Sequence, residues 1–202
     1  MSTNATLPQA GHILTLIDQK GVTKGQITQG VSDGTLPDFF EAMAAGTVPS
    51  REELRNFLGL PPFVCKIVID YLMTLEEMIV AGGYDWKHDA ITSERFPLSG
   101  EGKVERIVEL IHFNRTISSD EVERELDKMG LRPATIEELL AFGATFPETQ
   151  RKSSIVALGS CLEVHGESCV ACLSGTDSDR GIGLSDLDRN WGGMSRFLAV
   201  RK

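Results

Sequence analysis

Four soft metal ligands fall within twelve residues of this 202-residue chain, as Cys161-x3-His165-x3-Cys169-x2-Cys172. Thiolates and an imidazole at such spacing could build a tetrahedral zinc site. The intervening residues argue otherwise. A two-residue gap between cysteines serves zinc when it sits in a tight turn, whereas Val170-Ala171 favours a strand. Residues three apart on a strand point to opposite faces, which separates Cys169 from Cys172. Gly166 supplies a hairpin turn that would bring Cys161 near Cys169. The expectation is structural, reduced thiols, with a small zinc- or thiol-dependent protein as the alternative. No helix start precedes Cys169 to lower a thiol pKa for redox work.

Other candidates for chemistry are weaker. Asp177, Asp179, Asp186 and Asp188 could offer oxygens to Ca²⁺, but EF-hand spacing is absent and solvated carboxylates are expected. His112 lies in an apolar run and reads as a satisfied core histidine, while His12 and His88 have no evident partners. Gly181-Ile182-Gly183 has no helix behind it to cradle a phosphate. There is no Gly-x-Ser-x-Gly elbow, Walker loop or His-Glu-x-x-His pair. The chain is expected to be non-enzymatic, with no cofactor and no bound metal.

Composition bounds the rest. Twenty Lys and Arg stand against 29 Asp and Glu, a net charge of −9, and 41% of residues are hydrophobic. That suits a folded chain and argues against a phosphate-backbone binder. No apolar run approaches the roughly 20 residues that span a bilayer. Residues 1–9 lack the pattern of a secretory signal, so a cytoplasmic location is expected.

The elements that must position these residues follow from pattern. Residues 1–10 read as a flexible tail and 11–60 as short helices, with Leu36, Phe39, Phe40 and Met43 at helical spacing. Gly59-Leu60-Pro61-Pro62 marks a boundary, and 63–202 reads as an α+β domain. A strand is expected over 66–71 and a second, buried on both faces, over 104–113. Capping boxes at Ser50/Glu53, Thr74/Glu77, Ser118/Glu121 and Thr135/Glu138 open four helices. Residues 84–102 read as irregular. From 154 the pattern is β, with apolar runs at 155–158, 168–173 and 197–200 in a Gly-rich setting.

Two segments carry a resemblance. Gly130-Leu131-Arg132-Pro133-Ala134-Thr135-Ile136-Glu137-Glu138 resembles the "G-x-R-L-P-T-x-x-E" turn of the formylglycine-generating-enzyme branch of C-type-lectin-like folds. Ser195-Arg196-Phe197-Leu198-Ala199-Val200-Arg201 resembles the closing "G-F-R-x-x-R" strand of that branch. The same ending is similar to the "RFLAVRK" tails of uncharacterised proteins from uncultured small-genome bacteria. The resemblance covers about 103–202. It implies a C-type-lectin-like domain with two helices and a Gly-rich mixed β region. The enzyme branch uses a copper-binding cysteine pair near its C-terminus. Cys169 and Cys172 are too close together and too far from the end to match it, so catalysis is not carried over.

The branch also contains the variable proteins of diversity-generating retroelements, which display their variable residues just before the last strand. Here that stretch is 176–195, dense in Asp, Ser, Asn and Gly but without Tyr. The resemblance implies a solvent-facing, ligand-binding surface made by Asp177, Ser178, Asp179, Ser185, Asp186, Asp188, Asn190, Trp191 and Ser195, with Trp191 as an anchor.

The N-terminal helices offer a further alternative, a helix-turn-helix DNA-binding regulator through 11–60. That region carries Lys20, Lys24, Arg51 and Arg55 against Asp18, Asp33, Asp38, Glu41, Glu52 and Glu53, which disfavours phosphate contact. Residues 176–202 hold four acidic and five basic side chains. A protein or small polar ligand is therefore the expected partner, without membrane or nucleic acid.

Overall fold

The computed structural model describes residues 7–47, Leu54 and 63–202. The chain divides into two compact units, Met1–Leu54 and Arg55–Lys202. The Ser50/Glu53 capping box and the Gly59–Pro62 boundary lie outside the described residues.

The first unit holds α1 (Leu7–Gln19), α2 (Lys24–Ser32) and α3 (Thr35–Ala45). Residues 7–10, expected in the tail, belong to α1. Thr23 opens α2 by accepting from Gln26 N at 3.3 Å, while the Gln26 side chain accepts from Thr23 N at 2.8 Å. Neither α2 nor α3 buries a residue, and Phe39, Phe40 and Met43 are exposed.

The second unit is α+β, as expected. Its strands are β1 (Phe63–Asp70), β2 (Trp86–Lys87), β3 (Lys103–Ile111), β4 (Ile117–Ser118), β5 (Leu131–Pro133), β6 (Ile155–Val164), β7 (Glu167–Gly175), β8 (Arg180–Asp186), β9 (Asn190–Trp191) and β10 (Arg196–Arg201). Between them lie α4 (Leu75–Gly82), α5 (Ser119–Lys128) and α6 (Ile136–Thr145), the three that the capping boxes open, and the single turn α7 (Thr149–Lys152); the resemblance implied only two helices. The main sheet runs β1-β3-β10-β6-β7-β8-β2, with β5 also paired to β10. It is mixed, because β10 lies parallel to β6 and β2 parallel to β8.

Each face of the sheet has its own apolar layer. On one, Leu75, Met78 and Ile79 of α4 and Ile136, Leu139, Leu140 and Phe142 of α6 pack on Ile67, Ile69, Val108, Leu173 and Leu198. On the other, Val122 and Leu126 of α5 pack with Trp191, Val156, Val170, Cys172 and Phe197. Burial of this many aliphatic groups is the main driving force for the fold.

The helix starts follow the capping signals unevenly. Thr74 accepts from Glu77 N at 3.2 Å and Glu77 accepts from Thr74 N at 2.7 Å, a complete box. Ser118 accepts from Glu121 N at 3.3 Å, but the Glu121 carboxylate turns to Arg115 at 2.8 Å, so only half the box forms. At α6 the Glu138 carboxylate accepts from Thr135 N at 2.9 Å and takes a two-pronged ion pair from Arg132 at 2.7 and 2.9 Å. The Thr135/Glu138 box is present, though too long on the Thr135 side to satisfy the hydroxyl, and Ser160 Oγ in addition accepts from Ile136 N at 3.0 Å. Ser160 reaches α6 because β6 bulges between Ala157 and Cys161.

The burial of β3 departs from expectation. Only Val108–Ile111 are buried; residues 105–107 are exposed. Its second half lies between β1 and β10, whereas its first half pairs with β1 alone. The layer formed by α5 and Trp191 does not extend over that half.

Arg180 ties helices to sheet. Its side chain is 7% exposed and sits where two helices end. Nη1 donates to Gly82 O of α4 at 3.1 Å, and Nη2 donates to Gly143 O of α6 at 2.8 Å and to Gln150 Oε1 at 3.2 Å. The guanidinium carbon lies 5.1 Å from the Tyr84 ring centre. A cation at helix C-termini answers both the unpaired carbonyls and the negative ends of the helix dipoles. Arg180→Met should therefore strand two buried carbonyls and cost about 2–4 kcal/mol of unfolding free energy. Urea denaturation followed by circular dichroism measures this, and an unchanged midpoint would contradict the role.

Candidate functional site

The stretch 176–195 is a strand between two loops rather than a continuous polar surface. After Gly175 the chain turns through 176–179, runs as β8, then leaves the sheet through 187–189 into β9. The first half of β8 is inside: Arg180, Gly181, Ile182 and Gly183 are buried. Seven residues at about 3.3 Å each place its two loops roughly 20 Å apart.

β8 was not evident in the sequence because its glycines look like turns. They are instead a floor for Trp86. A Cβ added at Gly181 would lie 1.9, 2.2 and 2.4 Å from Cε2, Cδ2 and Nε1 of the Trp86 indole, so the ring lies against this residue. A Cβ at Gly183 would come within 3.3 Å of the same ring. Trp86 sits on β2, paired parallel to Gly181, in the segment expected to be irregular.

The first loop is clamped. Arg151 Nη1 donates to the carbonyls of Thr176, Asp177 and Asp179 at 2.8, 3.1 and 3.2 Å. Thr176 Oγ1 donates to Asp179 Oδ1 at 3.0 Å. Asp177 and Ser178 are exposed, and Asp179 is half-buried. Ser195, also half-buried, lies toward this end of the sheet, because β10 runs in the same direction as β8.

The second loop lies at the far end and is built from β7, α5 and β9. Leu187 N donates to Ser168 O at 2.8 Å, and Asp188 N donates to Asp186 Oδ1 at 2.8 Å. Ser119 at the start of α5 donates its hydroxyl to Leu187 O and accepts from Trp191 Nε1 at 2.8 Å. Asn190 and Trp191 pair with Ser118 and Ile117. Asp186, Asp188, Arg189 and Asn190 face solvent, and Ser185 is half-buried with its Oγ 3.5 Å from Cys172 Sγ.

Trp191 corrects an expectation. It is 2% exposed, edge-on to Phe197 with ring centres 5.9 Å apart, and cannot be a ligand anchor at the surface. Its apolar body completes the core under α5, and its N–H needs the buried Ser119 hydroxyl. What it anchors is the loop. Arg189 lies over its ring, 5.2 Å from guanidinium carbon to ring centre.

The cysteine–histidine constellation also resolves. His165 (φ 53°) and Gly166 (φ 88°) form the two-residue hairpin between β6 and β7, as Gly166 foretold. Cys169 faces Leu162 and the α6 layer, whereas Cys172 belongs to the α5 layer, so the two thiols lie on opposite faces of the sheet. Cys161 opposes Val170 on the α5 side. No group of three or more His, Cys, Asp or Glu converges on a metal position among the described residues. Burial pushes the Cys172 thiol up, and burial with the Glu167 and Asp186 charges pushes Cys169 up. His112 is held in the structure, with Nε2 2.6 Å from Gly193 O.

A groove of about 750 Å³ runs elsewhere, along α5 and β5, lined by Asp120, Glu123, Arg124, Asp127, Lys128 and Arg132 among others. None of the predicted site residues lines it. Among the described residues no helix is long and apolar enough to cross a membrane.

These thiol environments set an order of reactivity. With iodoacetamide in slight excess, the exposed Cys161 should be alkylated first and Cys172 last, and raising the pH should narrow the gap as the buried thiols ionise. Peptide mass mapping reads the order; early labelling of Cys172 would contradict it. Comparison with protein-family models, with curated proteins and with solved structures finds no match to this chain.

Proposed function

We propose that this chain is a non-enzymatic binding protein that presents the loop 186–190 to a protein or a small polar ligand. The observation that carries the reading is the construction of that loop. Its backbone is fixed from three sides by Ser168, Ser119 and Trp191, while Asp186, Asp188, Arg189 and Asn190 remain exposed. Short polar side chains on a rigid backbone give adaptable hydrogen bonding at low entropic cost. The two acids and one arginine favour a partner with hydrogen-bond donors or positive charge. The Thr176–Asp179 turn, clamped by Arg151, is a second and separate display position.

The C-type-lectin-like reading enters on the same terms. The two segments that carry it lie side by side, with β5 paired to β10 through Leu131–Arg201, Arg132–Val200 and Pro133–Ala199. Diversification by a retroelement is the finer proposal. It would act only on codons whose side chains leave the core untouched, which confines it to the two loops.

A display library tests both levels. Randomising Asp177, Ser178, Asp186, Asp188 and Asn190 should leave most clones folded and yield selectable binders. Randomising Arg180, Gly183 and Trp191 should abolish folding in most clones. Protease resistance on the display surface separates the two libraries. Equal loss in both would contradict the reading, as would a retroelement template whose mutated positions fall on 180–183.

A further inference from the structure

β1 closes one edge of the main sheet, and no described strand pairs with its outer side. Tyr71 N donates to Gly102 O, continuing the β1–β3 register one step beyond Asp70–Lys103. Hydrogen-bonded positions alternate in an antiparallel pair, so the odd residues of β1 bond to β3. The N–H and C=O groups of Val64, Lys66 and Val68 and the N–H of Asp70 therefore point outward, away from the sheet, while the Asp70 carbonyl accepts from Met73 N at 3.1 Å. The side chains of Val64, Lys66 and Val68 lie on the uncovered face, with Val68 50% exposed and Ile107 of β3 exposed beside them. An edge with free backbone groups and exposed valines is a template for another strand.

We propose that the strand it takes is β1 of a second copy of this chain, antiparallel about a two-fold axis at Val68. Charge selects the partner and the register. With Val68 opposite Val68, each Lys66 stands opposite the partner's Asp70, and the contact is made twice by symmetry. Asp70 is already paired with Lys103 at 2.9 Å, and Lys66 with Glu105 at 3.0 Å. Across the joined sheet the order becomes Lys103, Asp70, then the partner's Lys66, so each Asp70 lies between two amines. A shift by one pair centres on Ile67 and sets Lys66 against Val68. A further shift sets Lys66 against Lys66, which repels. In a monomer Lys66 is the kind of charge that discourages edge pairing in general; here it admits one register and opposes another.

Light scattering on the full chain, from micromolar to submillimolar concentration, tests this. The mass should rise from 22.1 kDa toward twice that value. Lys66→Glu and Asp70→Lys should each weaken association at least about tenfold, because each sets like charges opposite one another. An equimolar mixture of the two variants should recover it, since the introduced carboxylate of one faces the introduced amine of the other. In the unsubstituted chain, amide exchange at Lys66, Val68 and Asp70 should slow as concentration rises. A monomer throughout would overturn the proposal. So would association that neither substitution weakens, a mixture no better than its components, or amide exchange at these positions that ignores concentration.

Discussion

Two helices of the second unit end facing one buried cation, and the architecture follows from that meeting. Arg180 opens β8, so the carbonyls at the ends of α4 and α6 are answered by a group fixed in the sheet. Gln150 completes the arrangement by accepting from Arg180 and donating to Ser174 O and Gly181 O on the two flanking strands. A neutral side chain could not satisfy several carbonyls and oppose two helix dipoles together. The neighbouring Tyr84 lies under the guanidinium with its phenol pushed up by burial, and its hydroxyl donates to Leu140 O at 3.3 Å. Gly143 leaves room for that hydroxyl, since a Cβ there would lie 2.1 Å from it.

The other face is organised by a smaller device of the same kind. Ser119 receives the indole N–H of Trp191 and gives its own proton to Leu187 O, coupling the start of α5 to the loop after β8. The candidate binding loop is thus supported by the core rather than appended to it. Its exposed residues and the buried Trp191 are a few positions apart in sequence and opposite in role.

What the sequence disclosed depended on distance along the chain. The Thr74/Glu77 box was legible because both partners lie within one turn and nothing competes for either. The Ser118/Glu121 box was only half legible, because Arg115 draws the carboxylate away. The hairpin at His165-Gly166 and the separation of Cys169 from Cys172 followed from strand parity alone. β8 was hidden because its glycines answer to Trp86, which is remote in sequence. Trp191 is hidden for the same reason: an aromatic amid polar residues looks exposed until Ser119 and Phe197 are brought to it. The exposed half of β3 was equally hidden, since its apolar residues alternate whether or not a helix covers them.

The place of β10 has a consequence for how the molecule is made. It is the last described strand in chain order, yet it lies between β3 and β6 in the middle of the sheet. Until Arg196–Arg201 has been synthesised, β1–β3 and the β6–β7–β8 meander are two ribbons with no shared strand. Both apolar layers contain residues from each side of that gap together with β10 itself. The second unit therefore completes its sheet late, through contacts of long sequence separation, and a nascent chain halted before β10 would leave the inner edges of β3 and β6 open in addition to the outer edge of β1.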